Sequence, residues 1–208
     1  MTLEHKEVRQ ALIKATLELM DSGGLEAVKA RPVAQAAGVS VGTIYNLVGT
    51  VDDLVQLANI QIYEELSAFG LERMRERDAM LGEGTARDRV LARLLTLADA
   101  YIDFVAGHAN RWAALLAFNR AHDGAIAEDN LQHLLALIDI VGAVLRDAPA
   151  FADNGKRRLA ARALWSAVHG IVSTNFYGGD QATARRRTAE LNTVLLTTLV
   201  DGMFEAAR

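Results

Sequence analysis

Thr43, Tyr45 and Asn46 are the residues of this chain best spaced for chemistry on a partner, and they follow the turn Ala37-Gly38-Val39-Ser40. Hydroxyl and amide groups at the start of a short helix can hydrogen-bond base edges or phosphates, and Gly42 among them lets the backbone come close. A second set lies far along the chain. Trp165 and His169 are four residues apart, so they share one helix face, which Val172 and Phe176 continue. That face reads either as a pocket wall with His169 bonded to a ligand or as core with His169 satisfied inside the protein. Tyr101 with Phe104 and Val105, and Trp112 with Leu116, could supply the opposite wall; ordinary packing is the competing reading for each.

Catalytic and metal chemistry find no support. His5, His108, His122, His133 and His169 never pair at metal-ligand helix spacing, and the chain has no cysteine, which removes disulfides and thiolate zinc sites. No phosphate-cradling loop, dinucleotide fingerprint, His-Glu-x-x-His or nucleophile elbow is present. No enzyme activity, metal or cofactor is expected.

Helical periodicity runs through the elements that must hold these residues. Val8, Leu12, Ala15 and Leu19 form one helix face ending at Gly23-Gly24. A short apolar helix, with Pro32 in its first turn, ends at Gly38. Ser40 caps a third helix reaching about Val48. Thr50 and Asp53 read as a capping box opening a long helix to about Asp78. Helices are then expected at about 86–107, 109–120, 126–146, 156–176 and 182–207, with a loop at 147–155. No strand pattern appears, so the expected class is all-α: a three-helix head at 1–52 and a helical body at 53–208. The final helix is apolar on several sides. Leu191, Leu195, Leu199 and Met203, with Leu164, Val168 and Ile171 on the helix before, suit burial against a second copy of the chain, making a two-fold homodimer.

The 208 residues are 51% hydrophobic and 23% charged, which argues against disorder. The net charge of −4 means that contact with a polyanion must come from a local patch. No apolar run is long enough to span a membrane, and the start lacks the apolar core of a secretion signal. A cytoplasmic setting is expected.

Residues 5–58, from Ala11-Leu12-Ile13-Lys14-Ala15 through Val33-Ala34-Gln35-Ala36-Ala37-Gly38-Val39-Ser40-Val41-Gly42-Thr43-Ile44-Tyr45 to Leu54, resemble the N-terminal domain of TetR-type transcriptional repressors. The resemblance implies an all-α homodimer whose helix-turn-helix heads read double-stranded operator DNA and whose bodies hold an effector pocket. An unidentified small-molecule effector would release the operator. Leu164-Trp165-Ser166-Ala167-Val168-His169-Gly170-Ile171-Val172 looks like the Trp-His-Gly signature of one branch of that family, with His108 to Leu116 a looser match. The DNA-contacting residues implied are Ser40, Val41, Gly42, Thr43, Tyr45, Asn46 and Thr50, with Lys6, Arg9 and Arg31 as the nearest cations.

The sequence departs from the family at Val41 and Val51, where lysines that contact phosphate are usual, and at Leu47 and Val48, where an aromatic pair is usual. Residues 1–55 hold five basic residues against seven acidic ones. Phosphate neutralisation supplies much of DNA affinity and its salt dependence, so weaker binding and a shallower salt slope are expected. Helix starts at Ser40 and Thr50 offer backbone N–H groups in partial compensation. The basic runs 156–158 and 185–187 read as solvated helix starts. Two rivals remain: a DNA-binding protein whose pocket is filled by its own side chains, and a helical ligand-binding or interaction protein whose head no longer binds DNA tightly.

Overall fold

The first helix, α1, spans Leu3–Gly23 and buries Leu12, Ile13, Thr16, Leu17 and Met20, a spacing of three to five residues that keeps one face inward. Gly24 closes it with φ +66° and an N–H bonded to the Met20 carbonyl at 2.9 Å. Helix α2 follows at Ala30–Ala36 and α3 at Val41–Leu47. Between them Gly38 takes φ +70°, and Val39 N–H donates to the Ala34 carbonyl at 2.9 Å. An L side chain would be strained at that φ, so glycine there permits the sharp turn.

The expected caps are present. Ser40 Oγ accepts from Thr43 N–H at 3.2 Å. Asp53 Oδ2 accepts from the N–H and the hydroxyl of Thr50 at 2.8 and 2.7 Å, while Asp53 N–H donates to Thr50 Oγ1 at 3.0 Å. This reciprocal box opens α4, Val51–Met80. Then come α5 (Ala86–Gly107), α6 (Ala109–Ala121), α7 (Glu128–Val144), α8 (Asn154–Asn175) and α9 (Gln181–Glu205). This computed structural model describes residues 3–82, 84–122, 128–175 and 180–205, and among them it contains no strand.

The expected loop at 147–155 is instead largely ordered into short 3-10 turns at Leu145–Asp147 and Pro149–Phe151, and α8 starts two residues earlier than the periodicity indicates. The reason is a cap: Asp153 Oδ1 accepts from Lys156 N–H at 2.8 Å.

The chain packs as two compact units, Met1–Glu64 with His108–His133, and Glu65–Gly107 with Leu134–Arg208. The first therefore extends past residue 52 and takes in α6. Arg111 on α6, largely buried, donates from Nε to Asp21 Oδ1 at 2.9 Å and pairs again through its terminal nitrogen, while Asn110 Nδ2 donates to the Asp21 carbonyl at 2.8 Å. Trp112, Leu115 and Phe118 are buried on the same helix.

In the second unit, α9 packs along α5, and ion pairs mark both ends of the pairing. Arg87 Nε donates to Asp201 at 2.7 Å, and Arg185 Nε to Asp103 at 2.7 Å. Early α5 thus meets late α9 and the reverse, so the two run antiparallel. Exposed pairs of this kind add little stability, but they fix which residues face each other.

Candidate nucleic-acid interface and ligand cavity

In the first unit, Ile44 is the residue of α3 that is fully buried, and it anchors the helix. Val41 and Tyr45, one turn apart, are 37% and 54% exposed, and Ser40, Gly42, Asn46 and Thr50 are exposed too. Tyr45 is the large side chain of α3 most open to solvent. Thr43 is half-buried, and its hydroxyl lies 2.9 Å from Ser40 Oγ. The cap therefore orients two of the proposed contact groups together. Thr50 engages its hydroxyl both as donor and as acceptor with Asp53, which leaves chiefly its place at the start of α4 to offer. Those hydrogen bonds also hold the Asp53 carboxyl below the usual carboxylate range.

Of the five basic residues in the first 55, Lys14 faces Glu18 at 3.9 Å. Lys6, Arg9, Lys29 and Arg31 make no ion pair among the described residues. Cations without an internal partner are available to phosphate. Lys29 is the residue before α2, at a helix start.

The second unit holds a small cavity of about 60 Å³. It is lined from α4 by Leu66, Ser67 and Gly70, from α5 by Leu94, Leu97, Ala98 and Tyr101, from α7 by Leu137, Ile140 and Val141, from α8 by Leu164, Trp165 and Val168, and from α9 by Leu196. No charged side chain reaches it. Tyr101 stacks on Trp165 with ring centroids 5.3 Å apart, and its hydroxyl is 2.7 Å from His169 Nδ1. His169 Nε2 lies 3.3 Å from Ser173 Oγ. Burial pushes the His169 imidazole below its ordinary range and keeps it neutral.

Tyr101 and Trp165 are thus brought together at the cavity, with His169 bonded behind them. Phe104 packs against Phe69 at 6.4 Å between centroids, and Phe104, Val105 and Val172 are buried outside the lining. Trp112 and Leu116 belong to the first unit and do not line this cavity. Their aromatic and apolar character suits a pocket and a core equally, so sequence spacing alone does not say which cavity, if any, they border. Phe176 lies outside the described residues. Leu66, Gly70, Leu94 and Leu137 were missed, because nothing in a run of apolar helix residues says which of them borders a void.

The surface proposed for self-association also divides. Leu164, Val168 and Met203 are buried within the unit, the first two against the cavity, while Ile171 and Leu195 are half-buried. Leu191, Val194 and Leu199 are exposed, Val194 to 68%. Beside them α8 exposes Ala163 and Ser166, and a Cβ added at Gly170 or at Gly202 of α9 would meet nothing within 4 Å. The outward apolar face thus centres on residues 191–199 of α9.

A short capped helix behind a glycine turn in the first unit, and an apolar cavity among the helices of the second, are the features of a helix-turn-helix regulator. Residues 12–58 match the bacterial regulatory proteins of the tetR family, and residues 94–199 match the tetracyclin repressor-like C-terminal domain. The chain belongs to the TetR family of transcriptional regulators. It is 33% identical over 106 residues to the HTH-type transcriptional repressor KstR of Rhodococcus jostii, a match that spans 47% of this chain and half the length of KstR. It is 25% identical to an uncharacterized HTH-type transcriptional regulator of Mycobacterium tuberculosis over 82% of this chain and 71% of that protein. A crystal structure of a tetR-family regulator from Streptomyces coelicolor shares the fold, with TM-score 0.68 and 21% identity over the whole of this chain and 83% of that one.

Proposed function

We propose that the protein is a cytoplasmic, dimeric repressor that reads operator DNA with α3 and is released by a small apolar effector. The observation that carries the DNA-reading half is the division of α3, with Ile44 buried while Val41, Tyr45 and Asn46 face solvent beside a cap-oriented Thr43. In this reading Tyr45, Thr43 and Asn46 contact bases and phosphates, and Val41 offers an apolar contact of the kind made to thymine methyls. Lys6, Arg9 and Arg31 neutralise phosphate, with Gly42 and the Ser40 and Thr50 helix starts giving close backbone approach. A second copy docks on Leu191, Val194 and Leu199. An effector held in the cavity against Tyr101 and Trp165 lowers operator affinity, and operator lowers effector affinity by the same factor.

The test is a gel-shift titration against the DNA upstream of its own gene at two salt concentrations. Nanomolar-range binding at low salt is expected, with a salt slope shallower than that of a Val41→Lys variant. Thr43→Ala with Tyr45→Ala should abolish binding while light scattering still shows a dimer. Retained binding in that variant rejects α3 as the reading helix.

Two features favour other readings. The uncharged Val41 and Val51 favour a head that no longer binds DNA tightly, for which absence of binding even at low salt is the expected outcome. The cavity favours a protein without effector, since about 60 Å³ is well below the roughly 300–1,000 Å³ of small-molecule sites, and a ligand must part its walls. DNA binding that no member of an apolar ligand library reverses selects that reading.

A further inference from the structure

The second unit also carries a groove of about 770 Å³ between α7 and the start of α8, separate from the cavity. At its floor the two helices come close: a Cβ added at Gly142 would sit 3.7 Å from the Ala161 Cβ. Four arginines line the groove, against one carboxylate, Asp139. Arg157 is committed to structure, donating to the Phe151 carbonyl at 3.0 Å and to Asn154 Oδ1 at 2.9 Å. Arg146, Arg158 and Arg162 have no ion-pair partner among the described residues. In the same unit Arg73, Arg87, Arg93 and Arg185 are matched to carboxylates, while Arg77, Arg89, Arg186 and Arg187 make no ion pair among the described residues but line no groove with these three.

Arg158 and Arg162 lie one turn apart on α8, where like charges repel. An uncompensated pair with a third guanidinium opposite, in a chain whose net charge is −4, is a local positive field. Guanidinium forks suit the oxygens of phosphate and carboxylate. The same groove has an apolar side. Leu159 is 72% exposed and Leu135 is exposed beside it. The volume falls within the usual range for a small organic ligand.

We propose that this groove binds a soluble anionic amphiphile, an organic phosphate or carboxylate with an alkyl or aryl body, whose anion sits among Arg146, Arg158 and Arg162 and whose apolar part covers Leu159. The site differs in chemistry from the cavity, which no charged side chain lines, and it stands whether or not the protein binds DNA.

Isothermal titration calorimetry of the full chain with octyl phosphate, inorganic phosphate and octanol tests it. Octyl phosphate should bind at least tenfold more tightly than either half alone. Arg158→Gln with Arg162→Gln should weaken it at least tenfold. Arg186→Gln with Arg187→Gln, which removes the same charge from α9, should leave it unchanged. Leu159→Gln should reduce octyl phosphate to the level of inorganic phosphate. The proposal is overturned if octyl phosphate does not bind, if the two double variants lose affinity equally, or if the Arg158/Arg162 variant keeps it. Sedimentation with phosphatidylglycerol vesicles without binding of octyl phosphate would move the groove to a membrane headgroup. A change of oligomeric state in the Arg158/Arg162 variant without ligand binding would assign it to a second copy of the chain. Either result also rejects the proposal.

Discussion

Helix α3 and the cavity are built on opposite plans. On α3, one buried anchor holds a row of exposed groups whose orientation comes from residues three or four positions away. At the cavity, five helices each contribute part of the wall, and the lining residues are buried or half-buried. The first arrangement is local, so its parts can be lost one at a time. The second is collective, so a change of one side chain is felt by the others. The difference explains why the polar groups of α3 sit where solvent can reach them, while in the aromatic stack Tyr101 is buried and Trp165 and His169 are half-buried.

The largest test of the contrast is Ile44→Ala. Ile44 is fully buried and is the anchor of α3, so truncation should cost about 2–5 kcal/mol in chemical denaturation. It should also remove DNA binding although no exposed group is altered. A loss well under 1 kcal/mol would mean that α3 is not held by this anchor.

The interior of the second unit makes the opposite kind of prediction. Asn192 on α9 is buried with neither its amide nitrogen nor its oxygen bonded among the described residues. Replacing an unsatisfied buried amide by an apolar group of similar shape removes a desolvation penalty, so Asn192→Leu should stabilise by about 1–2 kcal/mol. Destabilisation would show that the amide has a partner in solution, such as an ordered water. Ser40→Ala should cost about 1 kcal/mol, the usual worth of an N-cap, and should weaken DNA binding further by freeing the Thr43 hydroxyl.

Gly70→Ala refines the picture of the cavity. The new Cβ would lie 3.4 Å from Leu97 Cδ2, the movable end of a side chain. Alanine for glycine within a helix should gain about 0.5–1 kcal/mol while shrinking the cavity, so thermal stability rises and ligand affinity falls. Unchanged affinity for an apolar ligand would place that ligand elsewhere. The smallest effect concerns pH. Burial holds the His169 pKa below its unfolded value of about 6.5, so the unfolded chain takes up the proton first. Stability from this group is complete above pH 6.5 and declines as pH falls through the folded pKa. His169→Gln should flatten that part of a stability–pH curve; an unaltered slope would assign it to other groups.

The head was legible residue by residue because its determinants are short-range. Gly38 answers a backbone angle, Ser40 and Thr50 answer unpaired N–H groups at helix starts, and Ile44 answers a helix period. Those demands arise within four residues of each position. The cavity was legible only in part. Trp165 and His169 were placed together by spacing on one helix, and Tyr101 was grouped with them on composition. Trp112 and Leu116 were drawn in on the same grounds, yet they pack in the other unit. Likewise Leu164 and Val168 looked like an outward seam and are interior, since a stripe of apolar residues does not reveal which neighbour covers it.

What the amino-acid order determined by itself is the helical class, the position of nearly every helix end and the capped turn that opens α3, because propensity, capping and turn chemistry act between near neighbours. Tertiary structure alone decided that α6 joins the head through Arg111 and Asp21, which apolar residues border a void, and which arginines are left without a carboxylate. Those outcomes depend on contacts between residues tens of positions apart, whose pairing is settled by the packing of whole helices.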